Sequence, residues 1–417
     1  MVQFPPPGLR SIYQPVVDLH SGEVVGYEAL IRGPVGGPGE SAAAVLSSAT
    51  SREEFVELDW LCRISAARGA LEADLAADLA LFLNTEPASF AAQAPRSARL
   101  LHQEYLDRKQ PVVVEVTERN IASDPRALLH YRDLIRRNGW LLAIDDVGSD
   151  LASIALMPLI DPDVIKLDMS MVRNTPGRRT AQIVSAVQAH VERSDAIIVA
   201  EGIETDRQLD LARSLGARLG QGWLLGRPAP LPTSAATSTR ARVDDSTSRR
   251  HQWRRPVDNH DPVTPWALVS GHPAVRTATA PLIRALSAHV ADQTRGCGIS
   301  TVVLVTGPGV DDATVYRDIA QRAFMVGILG PHASGLDLDR VRTVDLEPDD
   351  LLARHHCVVV VMAQFAVALL AVSDQAVTPN SEDQEFKYVL TYDRDIVVSA
   401  ARILLRRISG ADDSLPV

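Results

Sequence analysis

Short apolar runs recur through the first half of the chain, and each ends in a residue with an acidic, amide or ammonium side chain. These runs occupy residues 81–84, 112–115, 141–146, 164–166 and 197–201. Continuous apolar runs of this length are typical of strands buried on both faces, as in a parallel barrel. The carboxyl ends of barrel strands surround the mouth where the chemistry takes place. The pattern therefore predicts one site at which these polar side chains meet.

Stretches with helical periodicity separate the apolar runs, at residues 53–75, 125–138, 179–193 and 207–215. Alternation of strand-like and helix-like segments is expected of repeated βα units. We therefore predict an α/β fold with a TIM-type (β/α)8 barrel in residues 1–230. The oxygen-rich strand ends suit Mg²⁺ or Mn²⁺, and the isolated Lys166 suggests a reaction of negatively charged oxygens.

The pattern changes near residue 230. Residues 231–259 are rich in Ser, Thr, Arg and Pro, carry no periodic hydrophobicity and include the basic segment 249–255, so we interpret them as a solvated linker. Order signals return in residues 260–417, with helical patterns at 281–290 and 395–406 and strand patterns at 301–305 and 358–361. These signals predict a smaller mixed α/β domain.

Composition narrows the class of protein. Hydrophobic residues make up 46% and charged residues 23% of the 417 positions, which indicates packed domains rather than extensive disorder. The net charge of -10 disfavours binding of a nucleic-acid polymer, although a local site could still hold a small phosphodiester. Three widely spaced cysteines do not form a disulfide framework, and there is no export signal or membrane-spanning run. We expect a cytoplasmic protein.

Seven motifs occur in the order found in one enzyme family. The first is the opening, with Gln14 in residues 13–18 and Glu28-Ala29-Leu30 followed by Arg32. The other six are Leu83-Asn84, Glu115-Val116-Thr117-Glu118, Asp145-Asp146, Lys166 within residues 165–168, Glu201-Gly202-Ile203-Glu204 and Gln221-Gly222. Together they resemble the EAL family of cyclic-di-GMP phosphodiesterases over about 215 residues. A lone Glu-Ala-Leu would carry no weight, but ordered motifs over this length do.

The resemblance implies a two-metal phosphodiesterase site. Its metal ligands would be Glu28, Asn84, Glu115, Asp145, Asp146 and Glu201. Lys166, Glu201 and Gln221 would be catalytic, with Lys166 holding the attacking water or balancing charge and Gln221 orienting that water. Substrate contacts would come from Gln14, Leu30 and Arg32, the last as a phosphate clamp. The reaction would convert cyclic-di-GMP to linear pGpG with Mg²⁺ or Mn²⁺.

One segment departs from the family pattern. After Asp145-Asp146 the family usually has Phe-Gly-Thr/Ser-Gly, whereas this chain has Val147-Gly148-Ser149-Asp150. The resemblance implies that this loop supports the second metal and a homodimer contact, with Ser149 retained and Glu204 anchoring the loop by hydrogen bonds. Loss of the last glycine can restrict a positive-φ conformation, which Asp tolerates better than most residues. We expect hydrolysis to be retained in a weakened or tightly regulated form.

Two alternatives remain open. The chain could be a catalytically silent receptor that binds cyclic-di-GMP and signals through its C-terminal domain, or a different metal-dependent hydrolase built on the same barrel. Water activation would require Lys166, Glu201 and Gln221 together, whereas binding alone would not obviously do so. A different metal-dependent hydrolase would not be expected to carry these motifs in this order.

The C-terminal residues carry a weaker similarity. Residues 322–330, 345–350 and 390–395 resemble parts of the DICT sensory domain. That resemblance implies a regulatory or sensory unit in residues 260–417. We therefore expect a ligand or partner of this unit to bias the conformation of the Asp145–Asp150 segment.

Overall fold

The structure is a computed structural model. It describes residues 8–37, 39–86, 89, 94–117, 125–149, 152–232, 253, 262–294, 300–307, 313–336, 338–375 and 382–408. Most of the linker, together with Glu118 and Asp150 of the motifs above, lies outside the described residues.

The first domain is a closed barrel of eight strands in sequential order. The strands are β1 Arg10–Asp18, β2 Val24–Arg32, β3 Ala80–Asn84, β4 Val112–Thr117, β5 Leu141–Val147, β6 Val164–Leu167, β7 Ile197–Ala200 and β8 Leu219–Gly220. The helices are α1 Ala42–Leu46, α2 Arg52–Glu72, α3 Arg96–Arg108, α4 Pro125–Arg137, α5 Ala152–Ile160, α6 Ser170–Arg173, α7 Arg178–Ser194 and α8 Asp206–Ser214. The predicted barrel and the four predicted helical segments are confirmed.

The barrel differs from a uniform parallel one in its first strand. β1 pairs antiparallel with both β2 and β8, while the other neighbouring pairs are parallel. A short turn follows β1, in which the Asp18 amide donates to the Glu23 carbonyl and Gly22 has a φ of 74°. Such a turn joins antiparallel strands only, because a parallel connection needs a crossover of a dozen or more residues. As a result Gln14 lies opposite Glu28 at the mouth.

Trp253 from the linker packs into the floor of the barrel. Its ring is 4% exposed and meets Phe82 edge-on, with ring centroids 5.7 Å apart. The surrounding apolar cluster comes mainly from residues early in the parallel strands, opposite the mouth, and contains Val16, Val25, Ala80, Val113, Leu141, Ala143, Val164, Ile197, Val199 and Leu219. The interpretation of this segment as a solvated connector is therefore wrong at Trp253.

The second domain is a seven-stranded mixed sheet in the order β12-β11-β10-β13-β14-β15-β9. Its strands are β9 Arg276–Thr279, β10 Thr301–Thr306, β11 Met325–Gly330, β12 Val341–Asp345, β13 His355–Met362, β14 Ala366–Val372 and β15 Glu385–Thr391. Its helices are α9 Ala280–Asp292, α10 Ala313–Ala320 and α11 Arg394–Leu405. The mixed α/β domain and its four predicted elements are confirmed.

Both faces of this sheet are covered, as its uninterrupted apolar strands require. One face packs with α9 and α10 through residues such as Val303, Val358 and Val360. The opposite face carries Val302, Val359 and their neighbours and shares one apolar cluster with α11 and the barrel helix α5. The two domains are therefore joined by a common hydrophobic core rather than by the linker alone.

Polar contacts supplement this core where α11 crosses the barrel helices. Arg402 donates from Nε to the Leu159 carbonyl at 2.8 Å and from Nη2 to the Pro158 carbonyl at 3.2 Å, both at the end of α5. Arg406 donates to Asp133 on α4 at 2.6 Å. Helix α5 is thus held by the C-terminal domain along its side and at its end.

Among the described helices, none combines the length and apolarity required to cross a membrane.

Candidate active site

Lys166 lies at the centre of the barrel mouth, surrounded by carboxylates. Its Nζ is 2.8 Å from Glu115 Oε1, 2.7 Å from Glu201 Oε1, 3.1 Å from Asp145 Oδ1 and 3.6 Å from Glu28 Oε2. The lysine side chain is 1% exposed. Five residues from five different strands or strand ends therefore converge, as the sequence pattern predicts.

Two amides hold the Glu28 carboxylate in place. Asn84 Nδ2 donates to Glu28 Oε1 at 2.9 Å, and Gln221 Nε2 donates to Glu28 Oε2 at 2.7 Å. Gly222 allows the chain beside Gln221 to approach the segment that follows β7, because a Cβ at this glycine would overlap the Ile203 backbone. The Glu28 oxygens are thus oriented toward Lys166 before any ligand arrives.

The charges at this site do not balance. Burial by itself lowers the pKa of Lys166, but the surrounding Asp145, Glu115, Glu201 and Glu28 outweigh it and hold that pKa well above its usual value. Burial raises the pKa of Glu115 well above its ordinary range, and burial raises the pKa of Glu201 to about 8. Four buried carboxylates share one ammonium, so an added cation would stabilise their ionised forms.

The arrangement of oxygens fits a hard divalent cation. One ligand oxygen from each of Asp145, Asp146 and Glu201 lies within 4.8 Å of the others. Glu115 Oε2 and Gln221 Oε1 are buried and have no hydrogen-bond partner among the described residues. Carboxylate and amide oxygens are the ligands that Mg²⁺ and Mn²⁺ prefer. Glu28, Asn84 and Glu115 lie beside this group, so the residues present fit a metal centre.

The backbone near the end of β5 presents Asp146 in an unusual conformation. Asp146 has a φ of 59°, and its amide donates to Asp145 Oδ1 at 3.0 Å. Gly148 follows with a φ of 112°, where a Cβ would press on the Met171 sulfur at 3.0 Å. The chain turns here, so the carboxylates of Asp145 and Asp146 can both face the barrel mouth.

The described contacts of this turn differ from those expected. Arg179 donates to the carbonyls of Gly148 and Ser149 at 3.3 and 2.5 Å. Glu204, expected to anchor the segment, forms an ion pair of 2.7 Å with Arg173, and its anchoring role stays a prediction. Arg179 was not predicted to contact this turn, although adjacent basic residues stand at the start of a helical stretch at 178–179. Ser149 lies in this turn, and its predicted role in supporting the loop stays a prediction.

The predicted substrate contacts border the mouth on the β1–β2 side. Arg32 is partly buried and donates to the Ile31 carbonyl at 2.7 Å, and no carboxylate lies within 4.0 Å of it among the described residues. Gln14 Nε2 donates to the Gly226 carbonyl at 3.1 Å. Leu30 is partly exposed. Arg32 therefore keeps donors for an anion, whereas the Gln14 donor already has a partner.

The barrel and its acidic mouth agree with the family comparison. The profile of the EAL domain family matches residues 7–228, which is more than half of the chain. The chain belongs to the EAL family. The match does not extend over the second domain, and the resemblance of that domain to DICT stays a prediction.

Curated relatives match the same half of the chain. The Escherichia coli K12 protein named probable cyclic di-GMP phosphodiesterase PdeA is 30% identical over 132 residues, covering 31% of this chain and 18% of its own. Probable cyclic di-GMP phosphodiesterase PdeB from the same strain is 28% identical over 232 residues, covering 52% of this chain and 42% of its own. The chain thus spans less than half the length of these two relatives.

Solved structures are also similar to about half of this chain. The Klebsiella pneumoniae BlrP1 complex with manganese and cyclic-di-GMP is 28% identical, covers 55% of this chain and 58% of its own, and has a TM-score of 0.48. The PaMucR phosphodiesterase complex with cyclic-di-GMP is 29% identical, covers 53% of this chain and 92% of its own, and has a TM-score of 0.45.

Proposed function

We propose that the barrel hydrolyses cyclic-di-GMP to linear pGpG with divalent metal ions. The observation that carries this proposal is the convergence of Glu28, Glu115, Asp145 and Glu201 on one buried lysine. Membership of the EAL family and the names of the relatives supply the substrate class.

Arg32 would hold the phosphate that is not cleaved. Its guanidinium carries five N–H donors in a fixed fork that matches phosphate oxygens. Because the described contacts leave most of these donors available, a phosphate at the β1–β2 side of the mouth would complete them. Gln14 and Leu30 would flank the bound nucleotide, and Gln14 would first have to release the Gly226 carbonyl.

The acidic residues would hold the metal ions. Glu28, Asn84, Glu115 and Asp145 would bind one ion and Asp145 with Asp146 a second, with Glu201 in the same group and Asp145 as the bridge. When bound, such ions lower the pKa of water and neutralise charge on phosphoryl oxygens. The left-handed backbone conformation of Asp146 supports this assignment, because it lets the side chains of Asp145 and Asp146 reach one cavity.

Lys166 and Gln221 would handle the attacking water. The Lys166 ammonium would hold that water or balance the negative charge that develops on the phosphoryl oxygens. Gln221 Oε1, buried without a hydrogen-bond partner among the described residues, would accept a hydrogen bond from the water and so fix its direction of attack.

A chromatographic time course tests the proposal. The full-length protein with cyclic-di-GMP and Mn²⁺ or Mg²⁺ should accumulate pGpG, and excess EDTA should stop this because metal removal leaves the water unactivated. Glu28→Gln should abolish conversion. Glu53→Gln, which neutralises an exposed carboxylate on α2, should leave it unchanged.

Binding without product would establish the receptor alternative. If the protein binds cyclic-di-GMP with either metal but forms no pGpG, the hydrolysis proposal fails while the ligand assignment stands. If it does neither, the ligand assignment fails as well.

We also propose that the C-terminal domain regulates the site through α5. This helix starts three residues after Ser149, and Ile154 through Ile160 are buried within the single chain. Arg402 binds carbonyls at its other end. A shift of α11 would therefore move the helix that follows the metal-binding turn. The homodimer stays a proposal, and a second copy would have to contact a surface other than these buried residues.

Arg402→Met should lower the hydrolysis rate by roughly 2- to 30-fold, the effect of a coupling of about 0.5–2 kcal/mol. The reason is that freeing the end of α5 loosens the turn that presents Asp145 and Asp146. Steady-state kinetics of the full chain measure this effect. Arg322→Met, an exposed position of the same domain, serves as the control. Equal kinetics in both variants would contradict regulation along this route.

A further inference from the structure

A second polar cavity lies between the two domains, away from the barrel mouth. It has a volume of about 260 Å³ and is lined by α5, α7 and α11, with charged groups from Asp161, Arg193, Arg394, Asp395 and Arg402. His190, Ser194 and Ser399 add further polar groups to its wall. A cavity with this many donors needs polar occupants.

Two carboxylates line this cavity, and the charge of one of them, Asp161, is already compensated. Asp161 Oδ2 lies 2.9 Å from Arg136 Nη2, 3.7 Å from Arg402 Nη2 and 3.8 Å from Arg132 Nη2. Three guanidinium groups thus share this one carboxylate. Arg402 also donates to two carbonyls of α5, so its donors are largely used. The negative charge of Asp161 is therefore already balanced and does not neutralise further arginines.

Arg193 and Arg394 face the same cavity together with Asp395, whose carboxylate acts on the charge of Arg394 from beyond ion-pair distance. Arg193 donates to the Ala189 carbonyl of its own helix, and Arg394 donates to the carbonyls of Met362 and Ala363. Within the described ranges, neither has a carboxylate within 4.0 Å. Burial and the neighbouring Arg193 lower the pKa of Arg394 to about 10. Two like charges from different domains therefore repel each other across the space.

We infer that this interdomain cavity binds a phosphate group, either inorganic phosphate or the phosphate of a small monoester, between Arg193 of α7 and Arg394 of α11. A guanidinium uses two parallel N–H groups to bind phosphate oxygens, so two arginines can hold one dianion from opposite sides. The hydroxyl groups of Ser194 and Ser399 lie in the same wall and can donate to a further oxygen. A bound dianion would replace repulsion between the domains by attraction.

Calorimetric titration of the full-length protein in EDTA tests this site, with inorganic phosphate and GMP as separate probes. Binding of either probe is expected, and the two titrations distinguish a free phosphate site from a monoester site. Arg193→Gln and Arg394→Gln should each weaken binding at least about tenfold, as loss of a charged hydrogen-bond partner implies. Arg68→Gln, which removes an exposed arginine of α2, should change binding less than twofold.

Ser399→Asp gives an independent test that does not depend on losing an arginine. Its carboxylate would lie in the cavity wall near the two arginines, so it should raise the unfolding midpoint without phosphate and abolish binding of both probes. The inference is overturned if neither probe binds the wild-type protein at millimolar concentration. It is also overturned if Ser399→Asp and both arginine variants bind as the wild type does. Neither the binding titration nor the unfolding midpoint depends on whether the protein hydrolyses cyclic-di-GMP.

Discussion

Replacing Lys166 with methionine should lower the rate of cyclic-di-GMP hydrolysis by ~10²–10⁴-fold, the range measured for removal of one positioned catalytic group. The physical reason is that the ammonium group contacts four carboxylates and is the only cation within 4.0 Å of them among the described residues. Methionine preserves the length of the side chain but cannot hold a water or balance negative charge. Single-turnover kinetics with saturating Mn²⁺ measure the chemical step directly.

Lys387→Met provides the matched control. Lys387 is half exposed and pairs with Asp374 at 2.8 Å on the outer part of the second domain. Exposed pairs of this kind contribute little to stability, so hydrolysis should be unchanged. If Lys166→Met retains a rate within about threefold of the wild type, the lysine has no role in the chemical step, since a positioned group contributes at least ~10²-fold.

Replacing Trp253 with alanine should lower the free energy of unfolding by ~3–5 kcal/mol, the usual cost of removing a large aromatic side chain from a core. The ring is buried against Phe82 in the barrel floor, although neighbouring linker residues lie outside the described part of the chain. Its Nε1 has no hydrogen-bond partner among the described residues, so the contacts described for this side chain are packing contacts. Urea unfolding of the full chain, followed by circular dichroism, measures the change.

Trp223→Ala separates this packing effect from the general loss of an indole. Trp223 is 54% exposed and contacts the Arg227 guanidinium, whose carbon lies 4.2 Å from the ring centroid. Such an exposed cation–π contact contributes ~0.5–1 kcal/mol, so this variant should lose about that much. Equal losses in the two variants would contradict the burial of Trp253.

The barrel could be predicted because its strands lie inside two layers of apolar side chains. Residues 141–146 and 164–166 needed no alternation of polar and apolar positions, and their length alone indicated strands. The direction of β1 could not be read in this way, because an apolar run has the same pattern in either direction. The short stretch from Asp18 to Glu23 does carry that information, since it is too short for a crossover.

The residues that form the site could be predicted from the sequence, but the contacts between them could not. Strand ends meet at one mouth whatever their partners, so Glu115, Asp145 and Glu201 could be grouped from position alone, whereas Glu28 was reached only through the resemblance to the EAL family. Glu204 could have met either the turn or another cation, and only the arrangement of α6 brings Arg173 to it. Trp253 was missed because a single aromatic residue in a basic segment has no period to reveal which surface it covers.

A protein fragment that ends near residue 232 would lack the indole that fills the barrel floor, and it would expose aliphatic side chains of several strands to water. Differences in activity between such a fragment and the whole chain would then combine a loss of regulation with a loss of integrity. Experiments that dissect the protein should therefore extend the first half beyond Trp253, so that enzymology is compared on equally sound scaffolds.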